Sequence, residues 1–581
     1  MEQATFVKKM KKLALSFGLA LLTLSVKSQN VDFEWARSIK GTDSDRVASI
    51  AVDDLGNLYA VGIFRDTILD ANNSPLITSH GSFDIYVQKT DTDGNVLWSK
   101  SFGGIGYDFV STIKVDHSGN IIITGNFVDT VDFDPGAGTF DIASHGTRDV
   151  YVLKLDTNGD FIWAKSIGGI GYESSTSMEL DAADNIYFGG TFQDGADFDP
   201  TSGVINQPFE GGFYDCFIEK LDTDGEFVWV KTMGGTEQDN LEDIAIDHQG
   251  NIYAIGEFGD TVDFDPGANT TSLISVENRN LFIQKLDENG NFIWAKAIEG
   301  TTGYGTASSL VIDGLENVYL TGYFYDTLDF DPGMDVMYLV SSNSASGNSD
   351  IFIEKLDNNG DFVWAKAMAG TGSEYANSID LDNLGAIYLG ITFSDTLDAD
   401  LGTGIDQFIS NGNGDVLVEK MDTNGNFLWA KSIGGHGSDY ISDFEMDTYG
   451  NIYFGGAFND TVDFDPGTNV FNLTAITGNR DSYIMKLSGT NSAAITDFTN
   501  ETNTNITMYP NPTNGIVTID FGQNNLTQTN LQLIDVLGKV VYNGPVTSQL
   551  TTLNLNGYSN GVYIIQFSNQ EERQTYKLVK E

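Results

Sequence analysis

At 581 residues, 40% of them hydrophobic and 12% aromatic, the chain is long enough for a large core and too long for one compact domain. Its 30 basic and 82 acidic residues leave a formal charge of −52, which excludes nucleic acid and anionic membranes as partners and leaves cations, cationic surfaces or neutral sugars. The single cysteine, Cys216, rules out an intramolecular disulfide and stands where other repeats carry Ile85, Val150, Leu281, Ile351, Val416 and Ser482, as a small core residue would.

At the start, Lys8, Lys9, Lys11 and Lys12 precede the apolar run Leu13 to Val26 and the small-residue site Val26-Lys27-Ser28. Residues 1–28 are expected to be a signal peptide, cleaved after Ser28. No later run approaches the roughly 18 apolar residues of a membrane-spanning helix, so a soluble or surface-tethered mature protein is expected.

From residue 31 to 488 the chain repeats. Trp35, Trp98, Trp163, Trp229, Trp294, Trp364 and Trp429 are all its tryptophans, spaced about 65 residues apart. Each repeat holds four short apolar runs, such as Ile244 to Asp247, Asn251 to Phe258, Leu281 to Lys285 and Asn291 to Lys296. Four antiparallel strands per repeat and seven first-strand signatures, near Ile50, Ile113, Met178, Ile244, Leu310, Ile379 and Phe444, predict an all-β, seven-bladed β-propeller. The last repeat stops after Ser482 to Leu487, and a lone strand, Phe33 to Ile39, precedes the first. The N-terminal strand is therefore expected to complete the final blade and close the ring. The Trp strands are expected to be buried on both faces between neighbouring blades.

Turns such as Asp91-Thr92-Asp93-Gly94-Asn95 and Asp116-His117-Ser118-Gly119-Asn120 join strands three to four and one to two; Asp or Asn caps its own backbone there and Gly takes positive φ. Between strands two and three lies a second motif, Asp129-Thr130-Val131-Asp132-Phe133-Asp134-Pro135-Gly136, repeated at Asp260 to Gly267, Asp326 to Gly333 and Asp460 to Gly467 and degraded elsewhere. In a propeller these loops share a face with the Gly-Gly-x-Gly-Tyr loops, as at Gly103 to Tyr107. Residues 489–504 turn to Ser, Thr and Asn and read as a linker. Residues 505–581 alternate in short strands and predict a small Ig-like β-sandwich.

The repeat, with its Asp-x-x-Gly-Asn-x-Tyr and Gly-x-Phe-x-Trp-Ala-Lys elements, resembles the bacterial β-propeller repeat labelled SBBP over Phe33 to about Leu487. The tail resembles the type A C-terminal sorting domain of type IX secretion substrates. The resemblance rests on Tyr509-Pro510-Asn511-Pro512-Thr513 with Gly515, Asp535-Val536-Leu537-Gly538-Lys539-Val540, Asn560-Gly561-Val562-Tyr563 and Lys577-Leu578-Val579-Lys580. That likeness implies a Bacteroidota-type bacterium, Sec export, type IX secretion machinery as a partner, and removal of the tail with attachment to surface lipopolysaccharide or release.

Carboxylates at the first, fourth and sixth motif positions suit a hard cation, since calcium takes about 6 to 8 oxygens. The expected ligands are Asp129, Asp132 and Asp134; Asp260, Asp263 and Asp265; Asp326, Asp329 and Asp331; and Asp460, Asp463 and Asp465. Solvated acidic turns are the plain alternative. The Asp-Thr-x triplets, as at Asp129-Thr130-Val131, also resemble the O-glycosylation acceptor of that phylum. The five histidines read as turn residues, no catalytic residue is assigned, and the Gly-Gly-x-Gly-Tyr loops lack the helix of a phosphate site. The leading expectation is a monomeric secreted or cell-surface binding or adhesion protein for a carbohydrate or protein. The alternatives are a carbohydrate-active or other hydrolase with an unpaired channel acid, Glu242 and Glu374 being the outliers, or a purely structural surface component.

Overall fold

The computed structural model describes residues 31–489, apart from 71, 194, 202, 276–278, 301–302, 343–346, 403 and 477. In the tail it describes 507–509, 513, 515–521, 530–535, 540–546, 548–555, 558, 561–568 and 573–580. The expected signal peptide and nearly all of the expected linker lie outside these residues. The chain divides into two compact units, Met1–Ser492 and Ala493–Glu581. All described elements are strands, and among the described residues no helix is long and apolar enough to cross a membrane.

In the first unit seven sheets follow one another, each built on four antiparallel strands. The second of them comprises Phe109–Val115, Ile121–Phe127, Asp149–Leu155 and Phe161–Ile167. Its two middle strands are buried at every residue, which is why their sequences carry no polar alternation. Cys216 sits in such a strand at 1% exposure. The seventh sheet joins Tyr440–Met446, Ile452–Phe458 and Asp481–Ser488 to the N-terminal strand Asp32–Gly41, which pairs antiparallel with Asp481–Ser488 from Asp32↔Ser488 to Ile39↔Ser482. The first strands touch in chain order, and Tyr440–Met446 touches Asp45–Val52 of the first sheet.

The Asp-x-x-Gly-Asn turns hold themselves together: Asp116 Oδ1 accepts the backbone N–H of Ser118 at 2.9 Å and of Asn120 at 2.8 Å, and Gly119 stands at φ 79°. Two of the turns between first and second strands also anchor their sheets: Lys154 of the third strand reaches Asp116 at 2.9 Å and Lys420 reaches Asp382 at 2.9 Å, both pairs almost fully covered.

The tryptophans depart from expectation. Only Trp35 and Trp429 are buried; the other five are half-buried, and Leu97, Ile162, Val228, Ile293 and Val363 beside them are 43% to 52% exposed. The fourth strand is the outer edge of its sheet, so one side meets solvent and the other packs on the neighbouring unit's turn. Trp35 Nε1 donates to Thr92 O at 2.9 Å, and a Cβ on Gly94 would lie 2.6 Å from the Trp35 ring. The fully covered aromatic column is instead Tyr59, Tyr187, Tyr253, Tyr319 and Tyr453 of the second strands.

In the second unit, one sheet of Thr507–Tyr509, Ile516–Asp520 and Leu550–Asn554 and another of Asn530–Asp535, Val540–Pro545, Gly561–Ser568 and Arg573–Lys580 share a core that includes Val517, Ile519, Leu533, Ile565 and Leu578.

Candidate functional site

The Asp-rich motifs form hairpins, most of which latch their sheet to the one before. Thr130–Asp132 pairs with Asp141–Ala143, and also with the previous sheet's fourth strand at Val131↔Gly104 and Asp132↔Gly103. Leu328↔Gly300 and Val462↔Gly435 repeat the junction. This explains the paired glycines: a Cβ on Gly104 would lie 2.3 Å from the Thr130 carbonyl oxygen. Phe133, between the two aspartates, is fully buried against Phe102, Phe127 and Tyr151 at centroid distances of 5.8, 5.3 and 5.1 Å.

The twelve expected ligands serve these hairpins. Asp129, Asp260, Asp326 and Asp460 open them at φ 66°, 53°, 61° and 57°. Asp132 Oδ1 accepts N–H groups from Asp134 (3.1 Å) and Phe140 (2.8 Å), and Asp134 Oδ1 accepts that of Gly136 (2.8 Å). Asp263 and Asp265, Asp329 and Asp331, and Asp463 and Asp465 do the same. Among the described residues, no group of three or more His, Cys, Asp or Glu side chains is gathered as a metal cage. Of the Asp-Thr-x threonines, Thr130, Thr261 and Thr461 are exposed. His80, His145 and His117 pair with Asp84, Asp149 and Asp184 at 3.1, 3.1 and 2.6 Å.

Buried acids brace four of the junctions: Asp108, Asp239 and Asp439 accept the N–H of Gly104, Gly235 and Gly435 at 2.7, 2.8 and 2.7 Å, and Glu173 that of Gly169 at 3.0 Å. Burial pushes Asp108 and Asp439 up to about 6 and Asp239 and Glu173 up to about 7. The folded state therefore holds these protons more tightly than the unfolded chain. Their stabilisation is full below about pH 4 and is lost as pH rises through 6 to 7. A melting temperature roughly 5 °C or more higher at pH 5 than at pH 8 is expected. Equal melting temperatures at the two pH values would show that the braces are ionised in the fold.

The first strands of all seven sheets line a cavity of about 360 Å³. Much of its wall is Ser and Thr, but Lys114, Glu179, Glu242, Asp243, Asp380, Asp443 and Glu445 break the repeat. Two of these are structural: Asp443 accepts from Ser49 Oγ at 2.8 Å and Ile50 N at 3.0 Å, and Asp243 from Ser177 Oγ at 2.6 Å and Leu310 N at 3.0 Å, tying neighbouring first strands. Lys114 Nζ meets Glu179 at 2.6 Å. Burial opposes the Lys114 charge, but Glu179, Glu445 and Asp443 outweigh it and hold the ammonium well above the usual lysine range. Glu445 rises to about 8 through burial despite Lys114, and Glu242 to about 8 through burial and then Glu257 and Asp243. Of the two sequence outliers, Glu242 reaches the cavity; Glu374 does not, occupying the brace position of Asp108. Lys114, Glu179 and Glu445 went unnoticed, although aligning them with Ala51, Ala245, Val311 and Asp380 exposes the irregularity.

Near the starts of the first and third strands and the end of the second, partly exposed aromatic side chains pair. Tyr107, 52% exposed, stacks on Phe109 at 6.4 Å. Arg148 lies 4.8 Å from the ring centroids of both Phe109 and Tyr172 and donates to the Tyr172 hydroxyl at 2.7 Å. Tyr172 meets Tyr214 at 5.2 Å, and Tyr304, 51% exposed, stacks on Tyr325 at 4.6 Å. Ile105, Ile170 and Phe213 are exposed beside them.

In the tail, Tyr509 is half exposed and pairs with Thr518, Gly515 stands at φ 139°, Gly561 pairs with Lys580, and Tyr563 is buried opposite Leu578. Lys577 pairs with Ile564, and Lys580 Nζ donates to Tyr558 O at 2.8 Å. Pro510, Asn511, Pro512, Gly538 and Lys539 lie outside the described residues.

Residues 507–581 match the family model described as the secretion system C-terminal sorting domain. Among curated proteins, the chain is 23% identical over 458 residues to an uncharacterized WD repeat-containing protein of Acanthamoeba polyphaga mimivirus, covering 66% of this chain and 33% of that protein. It is 22% identical over 377 residues to the regulatory protein FlaEY of Caulobacter vibrioides, covering 60% and 37%. The chain thus spans about a third of the length of the curated relatives it matches. Among solved structures, Sqt1 from Chaetomium thermophilum is similar at 11% identity and a TM-score of 0.36, over 79% of this chain and all of that one. The tail is a type IX secretion sorting domain, and the chain that carries it is a repeat-rich β protein sent out of the cell to be secreted or held at the outer surface.

Proposed function

We propose that the seven sheets are the blades of a seven-bladed β-propeller over residues 31–488, with Asp32–Gly41 as the closing strand, and that this propeller is a binding or adhesion module for a neutral carbohydrate outside the cell. In this reading, residues 1–28 are the signal peptide, 489–504 the linker and 505–581 the sorting domain. Closure is supported by the pairing of Asp32–Gly41 with Asp481–Ser488 and by the contact between the first strands of the first and last sheets.

The observation that carries the ligand class is the set of partly exposed ring pairs near the starts of the first strands, Tyr107 with Phe109, Tyr172 with Tyr214, and Tyr304 with Tyr325. Half-exposed tyrosines present an apolar ring face with a polar tip, which suits the C–H face and hydroxyls of a sugar. A neutral glycan also meets no repulsion from a chain of charge −52. Glycan-array binding by the full chain is the test. Retention of a neutral glycan, weakened about tenfold or more by Tyr107→Ala or Tyr304→Ala, is expected, equivalent to roughly 1.4 kcal/mol. No retained glycan, or retention indifferent to both changes, would sink this reading.

A second reading, glycoside hydrolysis, is favoured by one feature of the cavity: Glu445, raised to about 8, shares it with Glu179, which pairs with Lys114. A carboxyl held protonated by burial, with a second carboxyl group in the same cavity, is a pair such hydrolysis can use. Release of new reducing ends that disappears in Glu445→Gln is the result this reading requires.

A further inference from the structure

We infer that three of the seven sheets each hold a calcium-type divalent cation between a buried third-strand glutamate and the Asp-rich hairpin: Glu219 with Asp197 and Asp199, Glu354 with Asp329 and Asp331, and Glu419 with Asp398 and Asp400. The inference rests on the hairpin geometry and is independent of the glycan reading.

One strand position carries the argument. In the seven sheets it is occupied by Gln88, Leu153, Glu219, Gln284, Glu354, Glu419 and Met485. Glu219, Glu354 and Glu419 are 0% exposed, and neither carboxyl oxygen of any of them has a hydrogen-bond partner. An unpartnered buried carboxylate is among the most unfavourable arrangements a fold can hold, so a positive species is required there.

Gln284 shows where this side chain points. Its Nε2 donates at 2.7 Å to the carbonyl oxygen of Phe264, the residue between Asp263 and Asp265. The register is the same in all four sheets: Gln284 pairs with Ala254 and Ala295, Glu219 with Phe188 and Val230, Glu354 with Leu320 and Ala365, and Glu419 with Leu389 and Ala430. The glutamates therefore aim carboxyl oxygens at a segment whose matching atoms are the carbonyls of Phe198, Phe330 and Ala399. Oxygen facing oxygen is repulsive unless something positive lies between.

A proton would serve one of the two glutamate oxygens; a divalent cation serves both. It also answers the neighbouring aspartates, which after burial are the next influence holding the glutamates far above the usual carboxylate range. The loop hydrogen bonds use Oδ1 of Asp197, of Asp329 and of Asp398, and Oδ1 of Asp199, Asp331 and Asp400, leaving Oδ2 of each outside that ladder. Two glutamate oxygens, aspartate Oδ2 atoms and a backbone carbonyl form the oxygen-only set calcium takes, completed by water. The carboxylates do not stand as a closed cage without the cation, so binding draws them together.

The assignment differs from the one the motif suggests. Complete Asp-rich motifs stand in the second, fourth, fifth and seventh sheets, yet Leu153 and Met485 offer no oxygen, and Gln284 is uncharged and already donates its Nε2 to the hairpin carbonyl. Only the fifth sheet has both.

The test is equilibrium dialysis of the chelator-stripped full chain against calcium at physiological salt, with Glu219→Gln, Glu354→Gln, Glu419→Gln and the triple variant. Gln284 shows that glutamine is accommodated at this position, so the variants keep the fold. Three sites are expected, in the roughly 0.1 to 1 mM range of extracellular calcium modules. Each single variant loses one site, and in the triple variant calcium no longer raises the melting temperature. Asp263→Ala, in the fourth sheet, leaves all three sites. Absence of calcium binding, or a triple variant that binds as the parent does, overturns the inference; so does a triple variant that only gains stability at alkaline pH, since the glutamates would then be neutral acids bonded to the carbonyls.

Discussion

A chain lacking residues 31–41 is expected to lose its cooperative unfolding transition, or to melt at least about 15 °C lower. The strand Asp32–Gly41 supplies the outer partner of Asp481–Ser488, nearly every residue of which is buried. Its removal uncovers a long apolar edge, the arrangement that invites pairing with a second chain. Trp35 and Ile39, at 5% and 3% exposure, would leave the core as well, and full burial of such side chains is worth roughly 2 to 5 kcal/mol each. The strand also extends into the hairpin of the first sheet, Gly41 pairing with Ile68, so two sheets lose support together. Circular dichroism melting of the truncated chain, alone and with the 31–41 peptide added back, reads the effect. Partial recovery with the peptide is expected. A truncated chain that melts within about 2 °C of the parent would show that the N-terminal strand is an ornament and that the remaining sheets hold one another without it.

The repeat was legible because it is written in residues whose chemistry is local. A glycine at positive φ and an aspartate bonding two backbone amides announce a turn wherever they occur, and the spacing of Trp35 to Trp429 counts the sheets. What stayed hidden depends on direction. The aspartates at 132 and 134 have a metal ligand's spacing, but spacing does not say that Oδ1 of each faces its own loop. The tryptophans mark an apolar strand, but not that it is the sheet's outer edge. Glu219, Glu354 and Glu419 sit in apolar strands as ordinary variations on Gln, Leu and Met, and become unusual only once the hairpin is seen to cover them. The cavity is harder still. Lys114, Glu179 and Glu445 are single-residue departures in three sheets, and nothing in any one repeat says that the three side chains share a lumen. The ring contacts are assembled from separate loops, Tyr172 from one and Tyr214 from another, so no contiguous motif records them.

Phe133→Ala is expected to destabilise the chain by roughly 3 to 5 kcal/mol, the usual range for emptying a large buried aromatic site, whereas Asp134→Ala, which removes a single loop hydrogen bond, is expected to cost about 1 kcal/mol. The contrast follows from what each residue touches. Phe133 is fully covered and joins Phe102 of the first sheet to Phe127 and Tyr151 of the second, so its loss opens a cavity at a junction and not merely within one sheet. Asp134 is partly exposed and accepts the N–H of Gly136 at 2.8 Å, a bond that water can replace. The sixth sheet shows the alternative solution: Ala399 occupies the position of Phe133, fully buried, with Leu401 and Phe408 packed against the same core. Because the second sheet carries Leu153 and not a glutamate, the ranking should hold with and without calcium. Urea unfolding of both variants in the two conditions decides the matter. An Asp134→Ala penalty that approaches that of Phe133→Ala only when calcium is present would make the hairpin aspartates ligands in every sheet, and the apolar plug would no longer be the main reason the motif recurs.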